Sequence, residues 1–417
     1  MLEIRGKYGV AVVYNDHIGS NEIRQIKALM NHPASKDTTV RMMPDVHAGI
    51  GCTIGTTIKF KDKICPNLVG VDIACGMLIV QLPEPIKDFE LFDKAVHEAI
   101  PTGANVHTEV YPFPEIDNLA FTKANYSADD HFHFLCSIGT LGGGNHFIEV
   151  DQSVDGTQYL VIHSGSRNLG VKICEHYMKI AQYKAEFGEY CFNEAKKALI
   201  ADYKKMHKDK EIQQAIKKLK AEYEMKYALQ NLDLAYIEEE DLENYLHDCK
   251  IANLYARKNR EVIAENILKT YMSYVPFWNY RLEDLEHFHC IHNYIDTDNK
   301  ILRKGAISAQ KCEKVIIPLN MRDGCIIGIG KGNPEWNFSG PHGAGRAMSR
   351  FEAMKTISIE EFTKSMEGIY SSTVNNYTID EAPMAYKNSD DILNYIKDSV
   401  EVIEVIKPVY NFKASEK

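Results

Sequence analysis

Three stretches of this 417-residue chain, 43–77, 139–170 and 322–346, concentrate glycine with histidine, aspartate, asparagine and arginine. In LVGVDIACGMLIV (68–80), Asp72 and Cys75 stand between two apolar runs, flanked by Gly70 and Gly76. A carboxylate and a thiol three residues apart in a tight turn can face one cation. A turn aspartate beside a core cysteine would look the same, so the neighbours must decide.

The next cluster supplies imidazoles. In GTLGGGNHFIEVDQSVDGTQYLVIHSGSR (139–167), Asp155-Gly156 is the preferred dipeptide of a two-residue hairpin turn. Such a turn pairs 154 with 157, 148 with 163 and 146 with 165. His146 and His163 then share a strand face, beside Gly144 and Ser164-Gly165, which leave room for a ligand. The same register puts Glu149 on the opposite face unless the strand begins after His146. HFHCIHNY (287–294) adds His287, His289 and His292, among which spacing does not choose. His131 and His133 in DDHFHF read as surface or strand histidines. Aspartate, cysteine and several histidines suit a transition metal better than magnesium or calcium alone, with zinc, manganese and iron all open. A bridging thiolate would allow two adjacent ions, an arrangement suited to phosphoryl transfer.

The segment SGPHGAGRAMSRFEAM (339–354) points to phosphate. Its pattern predicts a helix after Pro341, with His342, Arg346 and Arg350 four apart on one face. Gly343 and Gly345 would let backbone N–H groups meet an anion at the helix start. A histidine placed there can attack phosphorus covalently. HSGSR (163–167) offers a second phosphate cradle, with two hydroxyls, a glycine and Arg167.

These groups need a scaffold of short strands. Apolar runs bounded by Gly or Asp predict strands at Thr57–Phe60, Met77–Gln81, Phe147–Val150, Tyr159–Ile162 and Val315–Ile317. Between the second and third chemical stretches, 171–285 is rich in Lys, Glu, Ala, Leu and Tyr. Runs such as 211–230 and 240–270 have helical spacing with a solvated charged face. The expected architecture is α+β: mixed short-stranded sheets form a compact core with flanking helices, in one domain spanning 1–417. A helix-rich insertion is expected at about 171–285, and a frayed polar tail after Val409.

Composition narrows the classes further. With 45% hydrophobic and 25% charged residues the chain reads as soluble and globular. It has no run of roughly 18 uncharged apolar residues, and MLEIRGKYGV lacks a signal-peptide layout, so a cytoplasmic location is expected. Ten scattered cysteines without a C-x-x-C argue against a disulfide framework or a zinc knuckle. A net charge of −10 is the opposite of the usual balance in a protein that coats nucleic acid indiscriminately, so if RNA is the partner its contact must be a local basic pocket.

MPDVHAGIGCTIG (43–55), VGVDIACGM (69–77), GGGNHFIE (142–149), HSGSR, HNY (292–294), RKGA (303–306), PHGAGRAMSR (341–350) and DEAPMAYK (380–387) resemble the motif series of the RtcB family of RNA-splicing ligases. The matches keep the family order from about residue 10 to about 413. The resemblance implies an RtcB-like fold and a GTP-dependent ligase acting in tRNA splicing or RNA repair. It would join an RNA 3′-phosphate or 2′,3′-cyclic phosphate to a 5′-hydroxyl. Asp72, Cys75 and His146 would hold one Mn²⁺, with Cys75 bridging to a second held by His163 and His292. His342 would become guanylylated and then pass GMP to the RNA.

By the same resemblance, GTP would be met by Asn145, His146, Phe147, Ile148, Glu149, His292 and Asn293. Pro318, Leu319, Asn320, Met321, Cys325, His342, Gly343, Ala344, Gly345 and Lys413 would complete its site. Glu149 and Lys413 would read the guanine edge, while Asp45, Arg167, Arg346 and Arg350 would serve RNA and phosphate. The chain departs from the family pattern at 318–325, where PLNMRDGC replaces a small-residue turn and puts Cys325 in place of a common serine. If that loop borders the phosphates, Arg322 would add charge beside them. Two rival readings are a metal-dependent phosphodiesterase acting on RNA terminal phosphates, and a catalytically silent RNA-end-binding protein.

Overall fold

The computed structural model describes residues 1–121, 127–187, 190–208, 211–228 and 231–414. Two sheets dominate. A six-stranded sheet runs in the order Leu2–Arg5, Val10–Val13, Thr39–His47, Ile54–Lys59, Ile301–Lys304, Asn293–Asp296. A seven-stranded sheet runs His287–Ile291, Gly76–Gln81, Gln158–Ser164, Phe147–Gln152, Val400–Lys413, Gly324–Gly330, Lys314–Asn320. The chain is α+β, as its residue pattern predicts.

The seven-stranded sheet is apolar on both faces, which explains its unbroken hydrophobic runs. Leu78, Val80, Ile148, Val150, Leu160 and Ile162 pack on one side with Phe92 and with Ile263 and Ile267 of the long helix Glu239–Tyr274. Met77, Ile79, Phe147 and Val161 point the other way, toward Ile316, Ile326 and Ala344. The functional side chains emerge on that second side. A single residue, His292, links the strand His287–Ile291 of one sheet to Asn293–Asp296 of the other.

The hairpin differs from its predicted form. Ser153 N donates to Thr157 O and Gly156 N to Ser153 O, so three residues, Val154–Gly156, make the loop. The register moves by one: Phe147 faces His163, and Ile148 faces Ile162. The strand begins at Phe147, directly after His146. Glu149 therefore shares a face with His163, and His146 reaches the site from the preceding loop.

The predicted helix after Pro341 does not form. Residues 342–349 are irregular, and the helix Arg350–Thr356 starts only at the Ser349 cap, whose hydroxyl accepts from Glu352 N. Gly345 has φ +75°, a left-handed conformation that breaks the helix, and a Cβ there would lie 2.4 Å from Asp45 O. Nor is the tail after Val409 frayed, because Val400–Lys413 is one 14-residue strand with Tyr410 and Asn411 fully buried. Residues 415–417 lie outside the described residues. His131 and His133 sit on the helix Ala128–Cys136, not on a strand.

Helices fill much of 167–274: Arg167–Phe187, Tyr190–Lys205, Ile212–Ala228 and Glu239–Tyr274. Residues 229 and 230 of the expected 211–230 helix lie outside the described residues. The last of these helices runs through the core. Its Asn259, fully buried, donates to Thr140 O, Ser164 Oγ and Gly165 O and accepts from Gly139 N and Thr140 N. Its Arg260 donates to Ala74 O at 3.0 Å and Ser164 O at 2.8 Å. Among the described residues the cysteines are free thiols, and no helix is long and apolar enough to cross a membrane.

Five hydrogen bonds to buried backbone and hydroxyl groups depend on Asn259, so Asn259→Ala orphans several of them. The expected loss is about 2–4 kcal/mol, read as a lower urea midpoint at unchanged m-value.

Candidate active site and metal centre

The turn before Gly76–Gln81 sets Asp72 and Cys75 side by side. Ala74 between them has φ +60°, a strained conformation for a residue with a Cβ. Two bonds hold it there: Ala74 N donates to Asn293 O at 2.6 Å, and Ala74 O accepts from Arg260. Gly165 lets the Asp72 carboxylate approach, since a Cβ there would lie 2.0 Å from Asp72 Oδ1.

Around the Cys75 thiol the imidazoles close in. His163 Nε2 is 3.1 Å from Cys75 Sγ and His146 Nε2 is 3.5 Å away. His146 Nε2 also lies 3.1 Å from Asp72 Oδ2, and His163 Nε2 lies 3.3 Å from His292 Nε2. The outer nitrogens set the tautomers. His146 Nδ1 donates to Leu141 O at 2.8 Å and His163 Nδ1 to Asn145 O at 3.1 Å. Their Nε2 lone pairs are thereby aimed at the sulfur, and a knot of acceptors with few donors is what a cation would complete. All four of Cys75, His146, His163 and His292 are buried.

Burial pushes the Cys75 thiol well above its ordinary range and the His163 and His292 imidazoles well below theirs, so both histidines stay neutral. Neutral imidazoles and a carboxylate are the protonation states that bind metal. The donor set fits a transition-metal site at Asp72, Cys75, His146, His163 and His292. It also chooses among the three histidines of HFHCIHNY. His289 turns away to Glu261 at 3.4 Å, and His287 Nδ1 donates to Leu285 O.

His342 follows the short strand Ser339–Pro341 and lies beside this centre, its ring centroid 5.0 Å from that of His292. Asp45, fully buried on the strand Thr39–His47, holds it twice. Asp45 Oδ2 accepts His342 Nδ1 at 2.6 Å and His342 N at 3.1 Å. With the proton on Nδ1, the Nε2 lone pair is left free to act as a nucleophile. His47, 6.3 Å away in the same stack, donates from Nδ1 to Asp45 O; burial lowers its pKa to about 4, which keeps it uncharged.

A cavity of about 660 Å³ opens over His163, His292 and His342. Of the residues assigned to GTP, it is lined by Asn145, Phe147, Glu149, Pro318, Leu319, Asn320 and Met321. Gly343, Ala344, Gly345 and Lys413 line it too, with Arg346 and Arg350. Ile148 points into the opposite core, and Asn293 Oδ1 accepts from Gly305 N. Cys325 is fully buried behind Glu149, in a cluster with Asp151. Arg322 does not border this cavity: it is half exposed and forks onto its neighbour Asp323 at 2.9 and 3.3 Å. A second cavity, about 1000 Å³, reaches the metal centre from the Asp72 and His146 side and is lined by Arg167.

Comparisons with known proteins give the family. The family model described as tRNA-splicing ligase RtcB matches residues 25–137 and 116–414. The chain belongs to the RtcB family. It is similar to an RNA-splicing ligase RtcB of Escherichia coli K12, 31% identical over 402 residues covering 89% of this chain and 88% of the relative. It is also similar to a tRNA-splicing ligase RtcB of Archaeoglobus fulgidus, 23% identical over 444 residues covering 85% of this chain and 83% of the relative. For an RtcB-family chain the motif reading leaves several supports unassigned: Asn259 and Arg260 behind the metal turn, His47, and the pair Asp380-Glu381. The first two are hidden in an ordinary amphipathic helix pattern. The last pair stands in DEAPMAYK, a motif visible in the sequence whose chemistry shows only in three dimensions.

Cys75→Ala should lower bound manganese at both positions after reconstitution, whereas His292→Ala should lower it mainly at one. Elemental analysis of dialysed protein with a native circular dichroism spectrum measures this. Two fully retained ions in the cysteine variant would make Cys75 a core residue. Because Arg322 pairs with Asp323 away from the cavity, Arg322→Ala should leave apparent GTP affinity within about twofold of wild type, in line with other exposed pairs.

Proposed function

We propose that this RtcB-family chain is a GTP-dependent RNA ligase that joins an RNA 3′-phosphate or 2′,3′-cyclic phosphate to a 5′-hydroxyl through guanylylated His342. The observation that carries this reading is the Asp45–His342 pair. A buried carboxylate fixes the Nδ1 proton and turns the free Nε2 toward a cavity that adjoins a transition-metal donor set. The names of the relatives supply the substrate class, RNA.

GTP would occupy the 660 Å³ cavity, with Glu149 and Lys413 at the guanine edge and Arg346 and Arg350 toward its phosphates. His342 Nε2 attacks the α-phosphorus; a P–N bond forms, the P–O bond to pyrophosphate breaks, and Asp45 stabilises the imidazolium that results. The RNA 3′-phosphate, formed from a 2′,3′-cyclic phosphate when water adds to phosphorus and breaks its bond to the 2′-oxygen, then takes GMP from the histidine, breaking the P–N bond. Attack by the RNA 5′-hydroxyl expels GMP and closes the phosphodiester. Arg167, on the second cavity, would meet the RNA phosphate.

Asp72, Cys75 and His146 would hold one Mn²⁺, and Cys75, His163 and His292 a second. When bound, such ions stabilise negative charge on phosphate oxygens. Because thiolate and imidazole donors also favour zinc, activity is best measured after metal exchange.

Incubation with GTP labelled at the α-phosphate should give a covalent, acid-labile and alkali-stable adduct. His342→Ala should abolish both the adduct and RNA joining, and Asp45→Asn should slow adduct formation about 10²–10⁴-fold. Wild-type-level labelling of the alanine variant would remove His342 from the chemistry. A phosphodiesterase or a silent RNA-end binder would give no adduct in any variant.

A further inference from the structure

Behind the cavity wall lies a carboxylate to which the reaction assigns no role. Glu381 ends the short 3-10 turn Ile379–Glu381 and is 1% exposed. It does not line the cavity, but four of its partners do. Its Oε2 accepts from Lys413 Nζ at 2.9 Å and from the Tyr386 hydroxyl at 2.6 Å. Its Oε1 accepts from Arg350 Nη1 at 2.6 Å and Arg346 Nη1 at 3.3 Å. Asp380 reinforces the arginines: its carbonyl accepts from Arg346 Nη2 at 2.6 Å and its carboxylate binds Arg350.

Two segments far apart in the chain thus bring their cations to one carboxylate on a third. Burial would raise the Glu381 carboxyl, but the Lys413 and Arg350 charges hold it down to about 2, so it is ionised at neutral pH. Three cations face two carboxylates, which leaves one positive charge in excess beside the cavity. Lys413 Nζ is held further by Asn145 O at 3.2 Å and lies 4.8 Å from the Phe147 ring centroid. Long lysine and arginine side chains have many rotamers, and the shared carboxylate removes that freedom before a ligand arrives.

We propose that Glu381 is a positioning residue for the nucleotide. It fixes Lys413, Arg346 and Arg350 as one rigid cation cluster, so that the group reading the base and the groups meeting the phosphates are set by a single buried charge. This rests on the reading of the cavity as the GTP site. Glu381 touches no substrate and acts through the cations it holds.

The test measures histidine labelling at varied GTP for wild type, Glu381→Gln, Glu381→Asp, Lys413→Gln and the double variant Glu381→Gln/Lys413→Gln. Glu381→Gln should raise the GTP concentration for half-maximal labelling at least tenfold while the maximal label per protein stays within twofold. Glu381→Asp keeps the charge on a shorter arm and should fall between the two. In the double variant, the effects should be clearly less than multiplicative, because both changes disable the same ammonium group.

Unchanged half-maximal GTP in Glu381→Gln, or multiplicative effects in the double variant, would overturn the proposal. So would a loss of maximal label and thermal stability without a shift in GTP dependence, the mark of a purely structural residue. If Glu381→Gln does not fold, Glu381→Asp decides on the same criterion. A folded, metal-loaded wild type that takes up no label would overturn the GTP reading itself, a result separate from any of these.

Discussion

Cys75 sits where lone pairs crowd together. Two imidazole nitrogens lie within 3.5 Å of its sulfur, a third imidazole lies 3.3 Å from one of them, and a carboxylate lies 3.1 Å from the other. Uncompensated, such a cluster repels itself, and in a buried setting water cannot screen it. Much of the surrounding fold holds these groups against that repulsion. Two backbone carbonyls take the outer imidazole protons, Arg260 bonds the Ala74 and Ser164 carbonyls, and Asn259 staples the loops from the far side. The strained φ at Ala74 belongs to the same scheme: the turn is over-determined by its neighbours because the site needs it.

A second theme is the pairing of each reactive group with a buried partner that sets its state. Asp45 does this for His342, and Glu381 for Lys413 and the two arginines. In each pair the inner residue is more deeply buried than the one it steers, so water competes weakly with the contact. The metal donors open onto two cavities, one beside His163 and His292, the other beside Asp72 and His146. The centre can therefore be reached from two sides.

Which residues converge at this site was largely legible before the fold. Asp72, Cys75, His146, His163 and His292 converge, and His342 lies beside them. What the pattern could not resolve was local geometry. A single additional loop residue at Val154–Gly156 moves the hairpin register by one, and with a side-chain period of two this carries Glu149 to the face of His163. The i, i+4 spacing of His342, Arg346 and Arg350 imitates a helix. Gly345 breaks it, yet both arginines still reach the cavity, because Glu381 and Asp380 draw them there. The polar look of the segment after Val409 hid a central strand whose Asn411 and Lys413 are polar because they face a site. Asn259 and Arg260 were invisible for the converse reason, since polar residues on a long helix usually face water.

That central strand has a consequence for how the protein is made. Val400–Lys413 lies between Phe147–Gln152 and Gly324–Gly330 and pairs with both, so it bridges those two strands. When residues 1–342 have emerged from the ribosome, the converging side chains Asp72, Cys75, His146, His163, His292 and His342 are all present, but Phe147–Gln152 and Gly324–Gly330 lack the strand between them and Lys413 is absent from the wall of the cavity. The last strand enters as a wedge between finished neighbours, with long loops to close and edges exposed until it arrives. The emerging chain is thus barred from assembling the complete cavity until Val400–Lys413 has been made.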